Sequence, residues 1–171
     1  EAEINRPFVE EQQIRVVRRA TGGGTVYHDL GNLNYSFISD AYNAEKLVIT
    51  RFTTPIVNAL CKLGLNANAS GRNDILIDGR KVSGTAQRLC GNRILHHGTL
   101  LFQSDLSTLS QSLNVDPTKF QGKSAKSVAS RIANIHDFLE TDMDLYAFWG
   151  YLKQELSAGE LIFDDIQDFE N

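Results

Sequence analysis

Residues 74 to 102, DILIDGRKVSGTAQRLCGNRILHHGTLLF, constrain the fold more than any other stretch of the chain. Ile75 and Ile77 alternate along a first β-type segment, and Asp78-Gly79 then offers a tight turn. A second segment runs from Lys81 to Leu89. Gly91-Asn92 offers a second turn before a third segment, Ile94 to Phe102. Two turn signals between three β-type segments predict a three-stranded antiparallel meander.

The flanking sequence supplies more strands and several helices. NLNYSFI (32–38) alternates with Leu33, Tyr35 and Phe37 on one face, as a half-buried strand does. IRVVRR (14–19) is β-branched and reads as a strand leading into three glycines. IVNALCKLG (56–64) carries Ile56, Val57, Leu60 and Leu63 at helical spacing, with Thr53 or Thr54 as cap, Pro55 in the first turn and Gly64 as the stop. Leu47, Val48 and Phe52 leave its start open to extension backwards. Residues 105–113 predict a short helix capped by Ser104, with Leu106, Leu109 and Leu113 inward. Residues 142–156 predict another, with Leu145, Trp149, Leu152 and Leu156 on one stripe. Residues 119–131 are polar, small and basic, and read as a loop. This order of elements predicts an α+β domain with a mostly antiparallel sheet packed with helices.

Composition narrows the function classes. A net charge of −4 over 171 residues argues against a dominant nucleic-acid footprint. No apolar run approaches a membrane span, and the polar, acidic start does not read as a signal peptide. Cys61 and Cys90 form no CxxC pair and have no metal-ligand spacing, so they read as free thiols of a reducing cytoplasm.

Four stretches carry candidate chemistry. In RRATGGGTVYHD (18–29), Gly22, Gly23 and Gly24 either make a plain connection or turn backbone N–H groups toward an anion as a nest, with Arg18 and Arg19 beside them. GRND (71–74) is either turn chemistry or places Asp74 beside Mg²⁺ and phosphates. In GRKVSGTA (79–86), the small residues Ser83, Gly84 and Ala86 leave room along a strand. Lys81 there either blocks edge pairing or holds a phosphate and a carbonyl oxygen together while charge grows in a transition state. In HHGT (96–99), adjacent histidines on a strand point to opposite faces, so they cannot chelate one metal together. One is expected in the core and the other along a pocket wall.

Taken in order, RRATGGGTVYHDLGN, GRNDI, RKVSGTAQ, HHGTLLF and KSAKSVASR resemble the lipoate–protein ligase A family of the biotin/lipoate ligase superfamily over most of residues 14–131. The resemblance implies an ATP-dependent activation of lipoate to lipoyl-AMP. The lipoyl group then passes to a lysine of the lipoyl domain of a 2-oxoacid dehydrogenase E2 subunit or of the glycine-cleavage H protein. It implies that Arg19 and Gly22–Gly24 wrap the lipoate end, that Gly24, Thr25, Val26 and Tyr27 line the nucleotide, and that Asn32 lies near the adenine. Asp74 would sit by Mg²⁺, and Lys81 would bridge the acyl carbonyl and the adenylate phosphate. His28, His97 and Thr99 would lie along the lipoyl pocket, and Lys123 to Arg131 would form a loop that closes on the nucleotide.

The chain departs from the family pattern in three places. Ser124 stands where the loop usually has Gly, and nothing matches the family's segments before RRxxGGG or its C-terminal accessory domain. Residues 1–171 are therefore expected to be a single catalytic domain that is a fragment of a longer protein. Two alternatives remain at this stage: a lipoyltransferase that uses preformed lipoyl-AMP, and a non-catalytic binding module.

Overall fold

The computed structural model describes residues 3–40, 49–70, 73–114 and 131–157. Within them, five strands form one antiparallel sheet: β1 (Asn32–Asp40), β2 (Ala67–Ser70), β3 (Asp74–Ile77), β4 (Arg80–Cys90) and β5 (Arg93–Leu101), in the spatial order β1-β5-β4-β3-β2. Helices α1 (Arg6–Glu11), α2 (Thr50–Lys62), α3 (Leu106–Ser112) and α4 (Leu145–Leu156) complete the α+β fold, with a 3₁₀ turn at Ile135–Phe138.

The predicted meander is β3-β4-β5. Asp78 and Gly79 both take positive φ (48° and 75°), the geometry of a hairpin turn whose twist matches the strands. Gly91 opens the second turn at φ 59°. β1 pairs with β5 over its whole length, from Asn32 opposite Leu101 to Asp40 opposite Arg93. β2 is an edge strand with little signal in the sequence, because ANAS carries no large apolar side chain and buries only Ala67.

One face of this sheet carries the core. Ile75, Ile77, Val82 and Leu100 pack against Ile56, Ala59 and Leu60 of α2 and Phe148 and Leu152 of α4. Phe102 stacks on Phe148 with ring centroids 4.7 Å apart. α4 thus turns Phe148 inward, whereas Trp149, expected on the buried stripe, is 44% exposed beneath the Lys153 ammonium, 3.9 Å from its ring centroid. Both residues fit a 3.6-residue period, and the partner Phe102 decides between them.

Three local expectations are corrected. α2 begins at Thr50, so Pro55 lies inside the helix; Thr54 Oγ1 donates back to the Thr50 carbonyl (2.7 Å) instead of capping. Its end does follow expectation: Gly64 (φ 83°) donates to the Cys61 carbonyl and Leu65 to the Leu60 carbonyl, the paired bonds of a Schellman cap. α3 is capped by Asp105, which accepts from the Ser107 and Thr108 amides (2.9 and 3.0 Å), not by Ser104. Residues 14–19 join no ladder among the described residues, and Val17 is 88% exposed. β-branched composition makes a strand only where a partner strand supplies the hydrogen bonds.

Candidate functional site

The second face of the sheet gathers the polar residues singled out in the sequence. Register places Gly84 opposite Thr99 and Ala86 opposite His97, with Asn34 and Ser36 beyond them on β1. Asp74 stands opposite Gly84 on the other side. A β-bulge between Ile75 and Leu76 inserts Val82 as an extra residue on β4. The bulge turns both Val82 and Ser83 into the core (0% and 1% exposed) and brings Lys81 into phase with Gly84 and Ala86. The Ser83 side chain therefore lies on the opposite face from the site expected for it.

Lys81 is held on both sides. β3 pairs with it at Leu76, and on the other edge its N–H donates to the Arg131 carbonyl (2.6 Å) while its carbonyl accepts from Ala133 (3.0 Å). Arg80 adds a bond to the Ile132 carbonyl (3.0 Å). Arg131, the last residue of the expected closing loop, is thereby backbone-paired to Lys81. The Lys81 side chain runs over Gly84, where an added Cβ would lie 3.4 Å from its Nζ. It ends in an ion pair with Asp74 Oδ1 at 2.7 Å. Residues 71 and 72, and Lys123 with the rest of 115–130, fall outside the described residues.

The glycine loop lies over the same face. Thr21 Oγ1 and His97 Nε2 are 2.6 Å apart, and Arg88 Nη1 of β4 donates to the Ala20 carbonyl (3.0 Å). Arg19 folds back into the loop: its Nε donates to Thr21 Oγ1, and its Nη2 to the carbonyls of Gly22 (2.7 Å) and Gly24 (2.8 Å). Gly23 needs to be glycine on two grounds. Its φ is 107°, and a Cβ would meet Arg19 Nη2 at 2.8 Å. Thr21, Arg88 and Glu3, which accepts from the Thr25 amide at 2.7 Å, were not singled out in the sequence. Their roles depend on contacts across 22 to 76 residues, which no local pattern records.

Past the loop, Val26 is exposed and Tyr27 half-buried. Burial, then the carboxylates of Asp29 and Asp105, raise the Tyr27 hydroxyl above its ordinary pKa. Asp29 is structural: it accepts from Gly31 (2.9 Å) and from the Asp105 amide (2.7 Å), tying the loop to α3. Asn32 donates to His28 Nδ1 (3.0 Å) and to Asn34 Oδ1 (3.1 Å), while its own Oδ1 is buried without a hydrogen-bond partner.

The histidines divide as expected. His97 faces the site, and burial and then Arg19 hold it below its ordinary pKa; the same two effects, in that order, lead the lowering at His28. His96 is wholly buried on the core face, stacked on Phe52 at 4.9 Å and accepting from Gln87 Nε2 (2.9 Å). Burial and then His97 push its pKa down to about 4. A depressed histidine pKa means that the unfolded chain binds more protons below pH 6.5, so stability is full above that value and falls toward pH 4. His96 should cost roughly 2 kcal/mol between pH 7 and pH 5. Urea unfolding at the two pH values should show a smaller difference in His96→Gln than in the wild type.

No group of three or more metal-ligating side chains occurs among the described residues. An open groove of about 560 Å³ lies on the helical side, bordered by Pro55 and Ala59 of α2 and Glu155 of α4. None of the candidate site residues lines it, so the clustered chemistry and not this groove marks the candidate site.

Comparison with known proteins shows the family of the chain. Residues 1–157 match the family described as the lipoyl protein ligase A/B catalytic domain. The chain is 47% identical over 154 residues to the lipoate-protein ligase LplJ of Bacillus subtilis, covering 90% of this chain and 46% of that protein. It thus spans about half the length of the curated relatives it matches. A bipartite lipoate protein ligase from Thermoplasma acidophilum, from a structural analysis of the ligase and its E2 lipoyl domain, superposes with a TM-score of 0.78 at 34% identity, over 90% of this chain and 61% of that one. A lipoate-protein ligase A bound with ATP superposes with a TM-score of 0.77 at 29% identity, over 90% and 62% of the two chains. By sequence and by fold, the chain belongs to the lipoyl protein ligase A/B catalytic-domain family.

Proposed function

We propose that this chain is the catalytic domain of an ATP-dependent lipoate–protein ligase, which joins lipoate to the AMP part of ATP with release of pyrophosphate and then passes the lipoyl group to a lysine amine of a lipoyl domain with release of AMP. One observation carries the reading above the others. The Lys81 backbone is fixed by bonds on both edges of β4, and its ammonium lies over the side-chain-free Gly84 on the sheet face that also carries the clamped glycine loop.

Carboxylate activation brings two anions, lipoate and ATP, into contact against their repulsion. Lys81 supplies positive charge where the acyl carbonyl and the α-phosphate meet, and the charge grows in value as the pentavalent phosphorus centre forms. Gly84 and Ala86 leave volume above the strand for the joined substrates, and His97 and Thr99 on β5 border it on the side away from Asp74. His28 and His97, held neutral at pH 7, add polar edges without a competing charge. The bare backbone of Gly24, with Thr25, Val26 and Tyr27, lines the nucleotide. The open Asn32 Oδ1 is an acceptor suited to an adenine amino group. Holding the reactants together makes the attack effectively unimolecular.

Asp74 suits Mg²⁺ that arrives with the nucleotide, since that ion commonly takes one or two carboxylates and completes its shell with phosphate and water. Bound there, it would neutralise phosphate charge. The acceptor is proposed by analogy with the relative studied with its E2 lipoyl domain; the glycine-cleavage H protein is a second acceptor of the same chemistry. Cys61 and Cys90 are free thiols, which suits a cytoplasmic enzyme, and no described helix is long and apolar enough to cross a membrane.

The test is lipoate-dependent exchange of pyrophosphate into ATP, followed by lipoyl transfer to a purified lipoyl domain. Both activities support the ligase. Transfer from synthetic lipoyl-AMP without exchange replaces it with a transferase, and nucleotide binding without either reaction leaves a binding module.

A further inference from the structure

The glycine loop is gripped with opposite polarity at its two ends. Arg19 and Arg88 take carbonyls, at Gly22, Gly24 and Ala20. At Thr25 the grip is an anion on an amide: the N–H donates to Glu3 Oε2 at 2.7 Å, and Gly24 lies close enough that an added Cβ would sit 3.1 Å from the same oxygen. Glu3 itself is anchored elsewhere. Its carbonyl accepts from Asn114 N (2.9 Å), and Asn5 N donates to the Ser112 carbonyl (2.9 Å). Side-chain amides add two more bonds, Asn5 Nδ2 to the Gln111 carbonyl (2.8 Å) and Asn114 Nδ2 to the Ile4 carbonyl (3.0 Å). Ile4 and Leu113 form an antiparallel bridge between them.

We infer that Glu3 is a positioning residue for the nucleotide side of the loop. Its carboxylate fixes the Thr25 amide from the clasp at the end of α3, so that Gly24 to Tyr27 keep one conformation. The inference rests on the proposed ATP reading. A carboxylate on a loop amide has one rival explanation, an acidic plug that occupies an anion's place and leaves when the anion binds. The clasp favours the strut, because four hydrogen bonds, three of them to the backbone of residues 3–5, tie this segment to the end of α3 and none of them involves the Glu3 carboxylate.

The two explanations predict opposite signs. In the full chain, Glu3→Ala should raise the KM for ATP about tenfold, the size of a lost charge-assisted hydrogen bond, with kcat changed less than threefold. Glu3→Gln keeps an acceptor oxygen and should return the KM to within about twofold of wild type. Hydrogen exchange at the Thr25 amide, followed without any ligand, should quicken in Glu3→Ala and stay slow in Glu3→Gln. A KM for ATP that falls or is unchanged in Glu3→Ala would overturn the strut, and so would a Glu3→Gln variant as impaired as the alanine. If the wild type shows no adenylation, the ligase reading fails and the exchange measurement alone decides: equal protection of Thr25 in all three proteins sinks the strut.

Discussion

Replacing Lys81 with alanine is expected to lower the rate of lipoyl-AMP formation by about 10²- to 10³-fold, roughly 2.7–4 kcal/mol of transition-state stabilisation, the cost of removing a preorganised charge from an active site. The loss should fall on kcat more than on the KM for ATP, because in the proposed function the ammonium serves the joined species rather than either substrate alone. Folding should survive. The backbone bonds that hold β4 do not involve the side chain. The partner Asp74 is 34% exposed, so the broken ion pair exposes a carboxylate that water can still solvate. Lys81→Arg should be impaired as well. The lysine stem already lies within 3.4–3.5 Å of the space a Gly84 Cβ would fill, which leaves little room for a planar fork. Single-turnover adenylation with a melting curve on each variant checks both halves. Unchanged turnover in Lys81→Ala would remove the residue from the mechanism.

Gly31→Ala should be the most destabilising glycine-to-alanine substitution among the described residues, at more than about 4 kcal/mol, enough to leave much of the protein unfolded. A Cβ at this position would lie 2.1 Å from the Gln103 carbonyl oxygen and 2.6 Å from the Ser104 nitrogen. Both are backbone atoms, and the Gly31 carbonyl accepts from Phe102 and Gln103 across the same junction (3.1 and 2.9 Å), so neither strand can move aside cheaply. The same junction aligns β1 with β5 and leads through Asp29 to the glycine loop. Gly22→Ala is the control. Nothing lies within 4 Å of its added Cβ, so denaturant unfolding should show a change of less than about 1 kcal/mol. Similar stability in the two variants would contradict the close approach.

Much of this arrangement was legible in the chain. Asp78-Gly79 and Gly91-Asn92 announced the meander because a hairpin turn demands positive φ and few residues supply it. His96 and His97 were separable because neighbours on a strand must part to opposite faces. Other readings failed for want of a partner. The valines of 14–19 have no ladder among the described residues, Trp149 lost its place to Phe148 where Phe102 waited, and Ser104 gave up the cap to Asp105 while its own backbone bonded both ways to the Asn134 amide. Each of these choices is made across the chain and not along it.

The sequence by itself determined which residues are candidates for the chemistry: the glycines, the cations and the small residues around Lys81. The tertiary structure decided which way they face. Strict alternation along β4 puts Lys81 and Ser83 on one side, and the bulge at Val82 overrides it, sending Ser83 into the core and Lys81 out above Gly84. One unpaired residue shifts a period of two by half, and its position depends on how β4 must bend to meet β3 and residues 131–133 together, which is a property of the assembled sheet.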